Sequence, residues 1–241
     1  MTRHIVVTGG GTGLGAAIAE RFVAGGDNVV ITGRRADVLD QTATKLGGSV
    51  TPIVCDHTDP DDLHRLAEQL PPSIDVLINN AGGVAGTSDT GSRLARIAAD
   101  WHANLAVNLI SAVLTSEALI ERLADNGRVI SLGSIAADTG GGSYGAAKAG
   151  LETWNQDLAT KLGARGITAN VLSPGYTVDT EFFGDSMTQQ RHDKLIQATR
   201  FNRPGLPTDI AGAAWFLASP DARHITAQVL KVNGGAWPAK R

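Results

Sequence analysis

Ile5-Val6-Val7-Thr8-Gly9-Gly10-Gly11-Thr12-Gly13-Leu14-Gly15-Ala16-Ala17-Ile18-Ala19-Glu20-Arg21-Phe22 changes character twice, and the two changes decide the fold. A β-branched run predicts a strand, the glycines predict a tight turn, and the spacing from Ala16 to Phe22 predicts a helix. Glycines allow a backbone to turn sharply and come close to a pyrophosphate, while a helix N-terminus offers unpaired N–H groups and a dipole that favours an anion. A P-loop requires Lys and Ser/Thr after the last glycine, but Ala16 and Ala17 stand there, which disfavours an NTPase. A dinucleotide turn remains, best described as Gly9-x-x-x-Gly13-x-Gly15, although Gly11-x-Gly13-x-x-Ala16 also meets a looser fingerprint. Thr8, Gly9, Gly13, Leu14 and Gly15 are the candidate phosphate contacts.

The same alternation continues outward. Strands are expected at 28–32, 50–54, 74–78, 129–132, 167–172 and 229–232, with helical spacing over 59–70, 94–121, 144–162 and 208–218 between them. Strand and helix in turn predict an α/β chain, a Rossmann-type doubly wound parallel sheet with helices on both faces, as a single domain over residues 1–241. The last long helix is expected to be capped by Thr208 and Asp209. Asn108 falls inside the long 94–121 pattern, where asparagine is unfavourable, so it either faces solvent or has a reason to be there. Residues 83–89 read as loop. Residues 176–207 break the alternation and mix Phe182, Phe183, Met187 and Phe201 with charges, the composition of a substrate flap over a partly apolar site.

Composition narrows the chemistry. With 42% apolar and 19% charged residues, 29 glycines and a net charge of −3, the chain is an ordinary globular one, without a Lys/Arg block for nucleic acid or an anionic membrane. One cysteine, Cys55, excludes an internal disulfide and a thiolate zinc cluster, and the six histidines are scattered without ligand spacing, so no metal is expected. No signal-like or transmembrane run is read, and a cytoplasmic protein is expected.

At the end of the second strand, where an NAD-binding protein places an acid for the ribose 2′-hydroxyl, stand Thr32-Gly33-Arg34-Arg35. Guanidinium groups bind phosphate in a forked, charge-assisted geometry, so this corner favours NADP(H), with Arg34 the nearer contact and Arg35 in support. NAD(H) stays possible because Thr32 is neutral, and two solvated loop arginines are the plain alternative.

Ser134-Ile135-Ala136-Ala137-Asp138-Thr139-Gly140-Gly141-Gly142-Ser143-Tyr144-Gly145-Ala146-Ala147-Lys148 carries the chemistry. On a helix Tyr144 and Lys148 stand at i and i+4, with Cβ atoms about 5–6 Å apart, and a cation beside a phenol favours phenolate. A half-buried aromatic with a solvated lysine has the same spacing.

Taken together, Thr8-Gly9-x-x-x-Gly13-x-Gly15, Asp56, Asn79-Asn80-Ala81-Gly82, Asn108, Ser134, Tyr144-x-x-x-Lys148 and Pro174-Gly175 resemble the short-chain dehydrogenase/reductase family over essentially the whole chain. The resemblance implies Tyr144 as acid/base and Ser134 as the group holding the carbonyl or hydroxyl oxygen. It implies Lys148 on the nicotinamide ribose, lowering the tyrosine pKa, and Asn108 anchoring a water in a proton relay. Asp56 would meet the adenine edge, Asn80, Ala81 and Gly82 would line the cofactor, and Pro174 and Gly175 would flank the nicotinamide.

Two departures stand out. Ser134 lies closer to Tyr144 than in close reductase relatives, and Ser131, three residues earlier, competes for the role. Ser134 is chosen because it follows Gly133 at a strand's carboxyl end, where doubly wound sheets build their sites. Thr180 falls one residue late after Pro174-Gly175, leaving Thr177 as a substitute for the carboxamide contact.

The resulting expectation is a nicotinamide-dependent oxidoreductase interconverting a ketone and a secondary alcohol, its partner a small-molecule carbonyl or alcohol. The nearest analogue is a 3-oxoacyl carrier-protein reductase. By resemblance the chain would form a homotetramer or homodimer through the helices from about residue 94 and from Tyr144 and through the last strand. A non-catalytic dinucleotide-sensing regulator would not need Ser134, Tyr144 and Lys148 together. A sugar-nucleotide epimerase-like enzyme would carry a larger C-terminal substrate region than the roughly 65 residues after Pro174.

Overall fold

The computed structural model describes residues 2–86, 91–182, 184 and 187–238. Seven strands, β1 (His4–Thr8), β2 (Asn28–Gly33), β3 (Val50–Val54), β4 (Ile74–Asn79), β5 (Leu123–Leu132), β6 (Thr168–Pro174) and β7 (Val229–Val232), form one sheet in the order β3-β2-β1-β4-β5-β6-β7. Every pairing is parallel. A parallel sheet is covered on both faces, which explains the near-continuous apolar runs such as Ile5-Val6-Val7 and Val76-Leu77-Ile78, all buried.

The chain winds outward from β1 to β3, then returns to β4 on the other side of β1. That reversal opens a crevice at the carboxyl ends of β1 and β4, the place where such sheets bind ligands. One face is covered by helices α1 (Gly13–Ala24) and α2 (Ala36–Leu46) and by the later Pro207–Leu217 helix, with Ile18, Phe22, Leu39, Ile210 and Leu217 packed on Ile5, Val7, Ile31 and Ile130. The other face takes α3 (Pro60–Gln69) and the helices at Ser111–Leu119 and Gly142–Leu162, through Leu63, Leu66, Leu119, Leu158 and Leu162. Asp59 caps α3 by accepting from Asp61 N at 2.9 Å.

The expected 94–121 helix is three pieces in line: α4 (Arg93–Leu105), a wide π turn (Ala106–Ile110) and α5 (Ser111–Leu119). By length and composition alone the run 93–122 would suffice to cross a membrane, a test that a packed core helix also meets. Its inner side is nevertheless core of the sheet's second face, with Ala112 and Leu119 buried there. Between β5 and α7 (Gly142–Leu162) lies a short helix, α6 (Ala136–Thr139).

Two corrections concern the C-terminal third. The 176–207 flap contains a regular helix, α8 (Gln189–Ala198), with Thr188 accepting from Arg191 N at its start. The next helix, α9 (Pro207–Leu217), begins before Thr208; its first turn is closed by Asp209, which accepts from Leu206 N at 2.9 Å, so the threonine is not the cap. Phe183 of the flap and Asp89 at the end of the 83–89 loop lie outside the described residues.

One buried histidine joins the layers beneath the crevice. His57 Nε2 is 2.7 Å from Thr32 Oγ1 and His57 Nδ1 is 2.9 Å from Thr115 Oγ1, while Thr115 donates to Ser111 O at 2.7 Å. Thr115 has therefore spent its proton, so Nδ1 donates to it and Nε2 accepts from Thr32, a neutral imidazole. Burial holds the imidazole pKa down to about 4, against the opposing pull of Asp56 and Asp62. The folded-state pKa lies below that of an unfolded histidine, so the stabilisation is complete above pH 6.5 and is lost as pH falls towards 4. We expect His57→Gln to remove about 3 kcal/mol of acid sensitivity across that window. Urea unfolding at a series of pH values checks this, and parallel pH dependences for the two proteins would refute it.

Candidate active site

The glycine turn is shaped by contacts that exclude side chains. Gly9 (φ 63°) and Gly13 (φ 51°) occupy left-handed backbone, and a Cβ on Gly15 would come within 2.1 Å of the Gly9 carbonyl oxygen. Thr8 and Asn80 lock the turn to β4. Thr8 Oγ1 accepts from Asn80 N and Ala81 N, both at 2.9 Å, and Asn80 Nδ2 donates to Thr8 O and Gly9 O. The turn therefore presents bare backbone at the N-terminus of α1, a cradle that fits a pyrophosphate.

Ser134, Tyr144 and Lys148 converge at the carboxyl edge of β5. Ser134 Oγ accepts from Ala136 N at 3.2 Å, and its hydroxyl is near enough to the Tyr144 phenol to pull the phenol's pKa down. Lys148, 5% exposed, donates to Leu132 O at 2.7 Å, and its Nζ is 5.8 Å from the centre of the Tyr144 ring. Burial lowers the ammonium pKa to about 8.

The electrostatics of the pair differ from the expectation. Burial raises the Tyr144 pKa, and the opposing pull comes from the Ser134 hydroxyl. The i, i+4 spacing brings Lys148 near, but its ammonium is directed at the Leu132 carbonyl. Ser131, by contrast, is fully buried inside β5, where Asn79 Nδ2 donates to it at 3.4 Å and to Ser116 Oγ at 2.9 Å.

Asn108 is buried in the π turn. Its Oδ1 accepts from Gly83 N at 3.0 Å and its Nδ2 donates to Gly83 O at 2.8 Å and Asn104 O at 3.1 Å. Gly82 joins Asn108 to Lys148, since a Cβ there would lie 2.7 Å from Asn108 Oδ1 and 3.4 Å from Lys148 Nζ. Across β6, Pro174 O accepts from Ile135 N at 2.9 Å and Gly175 N donates to Val232 O at 3.1 Å, which fixes the Ser134 loop beside Pro174-Gly175. Phe182 packs on Tyr144, ring centres 5.4 Å apart.

At the far end of the crevice Asp56 Oδ1 accepts from Thr58 N and Thr58 Oγ1, which, with Arg34 nearby, holds its carboxyl below the usual range. Arg34 thus lies on the Asp56 side, while Arg35 reaches towards the glycine turn and pairs with Glu181 at 2.8 Å. Thr180 lies against Gly13, 3.5 Å from where its Cβ would be, whereas Thr177 is buried, bonded to Gly175 O and bridged to Gly205.

A supporting layer went unread in the sequence. Ser143 Oγ donates to Asp100 Oδ2 at 2.5 Å, Asn104 Nδ2 donates to Asp100 Oδ1 at 3.1 Å, and Ala85 N donates to Asn104 Oδ1 at 3.1 Å. The signal was available: Asp100, Asn104 and Asn108 recur every fourth residue, one polar stripe facing the helix that carries Tyr144 and Lys148.

Comparison with known proteins agrees with this geometry. The family model described as enoyl-(acyl carrier protein) reductase matches residues 9–236. The 3-oxoacyl-[acyl-carrier-protein] reductase FabG of Escherichia coli strain K12 is 34% identical over 241 residues, covering 96% of each chain. Among solved structures, a double mutant of a Serratia marcescens short-chain dehydrogenase/reductase superposes with a TM-score of 0.85 at 32% identity, covering 97% of both chains. A blue fluorescent protein from a metagenomic library, solved with NADPH, gives 0.85 at 32% identity over 98% of both. The chain belongs to the short-chain dehydrogenase/reductase family and is an NAD(P)-dependent oxidoreductase acting on CH–OH and C=O groups.

The placement of the two serines yields a direct comparison. Ser134→Ala is expected to lower kcat/KM by about a hundredfold or more, as for loss of a donor at a developing oxyanion, and Ser131→Ala by less than about threefold. Steady-state kinetics on both variants decide it, and the opposite ranking would move the site to Ser131.

Proposed function

We propose that the protein reduces a ketone to a secondary alcohol, or runs the reverse reaction, with a preference for NADP(H). The observation carrying this reading is the gathering of Ser134, the Tyr144 phenol and the buried Lys148 ammonium at the carboxyl edge of β5, with Lys148 Nζ held on Leu132 O and 5.8 Å from the Tyr144 ring. Ketone reduction needs a hydride at carbon and a proton at oxygen. NADPH supplies the hydride. The Tyr144 phenol donates the proton and Ser134 holds the oxygen that receives it, its hydroxyl being the group that draws the phenol's pKa back down. Burial raises the Tyr144 pKa and so keeps the phenol protonated at neutral pH, the form from which reduction starts.

Asp56, Asn80, Ala81, Gly82, Pro174, Gly175 and Thr180 would line the cofactor, with Thr180, lying against the glycine turn, preferred to Thr177. Arg35 replaces Arg34 as the leading 2′-phosphate contact because it reaches the corner beside Thr12 while Arg34 sits by Asp56. The NADPH-bound neighbour supports the same preference. Phe182 on Tyr144 gives the substrate side an apolar wall, suited to a ketone with a hydrocarbon substituent. Leu94, Ile97, Trp101 and Ile110 form an exposed apolar stripe along α4 and the π turn, suited to packing against another copy of the chain.

A panel of ketones, 3-oxoacyl thioesters and enoyl thioesters with NADPH, followed at the nicotinamide absorbance with product analysis, tests the reaction. Secondary alcohol formed in step with NADPH consumed is expected; reduction of the enoyl compounds alone would overturn the assignment. Arg35→Ala is expected to raise the KM for NADPH about tenfold and to leave that for NADH within about twofold. Equal changes for both cofactors would count against the 2′-phosphate contact.

A further inference from the structure

Glu181 follows Thr180 in the flap, and its carboxylate lies across the corner just described. Glu181 Oε2 accepts from Arg35 at 2.8 Å and from Thr12 Oγ1 at 3.3 Å. Thr12 occupies the N-cap position of α1 with extended backbone, yet its hydroxyl makes no capping bond. That hydroxyl is directed at Glu181 instead. With Thr180 packed against Gly13, the flap closes over the glycine turn and sets one negative charge between the start of α1 and the end of β2.

This corner assembles what a phosphate monoester requires: a forked guanidinium from Arg35 and a hydroxyl donor from Thr12. A carboxylate and a 2′-phosphate would seek the same N–H donors of Arg35 and would repel each other. A free ribose 2′-hydroxyl, by contrast, needs an acceptor, and Thr32-Gly33-Arg34 at the end of β2 supplies no acid. We infer that Glu181 is a specificity-determining residue, which competes with the 2′-phosphate of NADP(H) for Arg35 and supplies from the flap the carboxylate that β2 lacks. The inference rests on the proposed reading of this corner as the 2′-phosphate site. Both partners are more than half exposed, so the competition is moderate and weakens with salt.

Two fragments that lack the nicotinamide isolate the corner: adenosine 2′,5′-bisphosphate and 5′-AMP, titrated calorimetrically into the full chain. Glu181→Gln keeps the shape of the side chain and removes its charge. It is expected to bind the bisphosphate about two- to fivefold more tightly, with 5′-AMP unchanged or slightly weaker, and the gain should vanish in the Arg35→Ala background. If Glu181→Gln leaves the bisphosphate unchanged or weakens it while Arg35→Ala still weakens it, the role of Glu181 is overturned and the phosphate corner stands. If the wild-type chain binds both fragments alike and Arg35→Ala changes neither, the phosphate corner itself falls, and Glu181 with it.

Discussion

The hydrogen bond from Lys148 to the Leu132 carbonyl is the constraint on which the site depends. It takes an ammonium that would prefer water, buries it under α7, and fixes it against the last residue of β5. An isolated buried charge is costly, and the cost appears here as a pKa lowered to about 8. Because Tyr144 stands one turn earlier on the same helix, anchoring Lys148 also sets the height of the phenol relative to Ser134. Gly82 and Asn108 complete the arrangement from β4 and the π turn, where a side chain at residue 82 would meet both the amide and the ammonium.

Rigidity is distributed unevenly around this point. The cofactor side is tied by bonds between successive strands: Asn80 to Thr8 and Gly9, Ile135 to Pro174, Gly175 to Val232. The flap, by contrast, is held by side chains that can exchange partners. Tyr176 Oη lies 2.5 Å from His192 Nδ1 on α8, and Glu181 spans Thr12 and Arg35. A site built this way can keep a fixed hydride and proton geometry while the covering segment changes, as loops on rigid scaffolds commonly do.

Much of this was legible in the residues, because buried parallel strands must be apolar on both faces and so announce themselves, as Ile5-Val6-Val7 and Ile74 to Ile78 do. The glycine turn was legible for a related reason: glycine takes the left-handed backbone of Gly9 and Gly13 with the least strain. What escaped lacked an apolar signature. Helix α8 has no buried residue, so its spacing carries no stripe, and only Thr188 marked its start. Asn108 was visible as an odd residue in a helix, but that it sits in a π turn bonded to Gly83 and Asn104 required the backbone. Spacing placed Lys148 beside Tyr144 correctly and said nothing of where the ammonium points, which is why the direction of the tyrosine shift was misjudged. Likewise, adjacency drew attention to Arg34, while nothing in the sequence marked Arg35 as the partner of Glu181.

The central claim is that the Tyr144 phenol is the proton donor and contributes little to cofactor binding. Turnover of Tyr144→Phe at saturating NADPH, together with its NADPH dissociation constant from nicotinamide fluorescence, measures both halves at once. The account predicts a fall in kcat of about a hundredfold or more with the dissociation constant within about threefold of wild type, since a general acid contributes roughly 10²–10⁴. A variant that keeps more than about a tenth of wild-type kcat would contradict it.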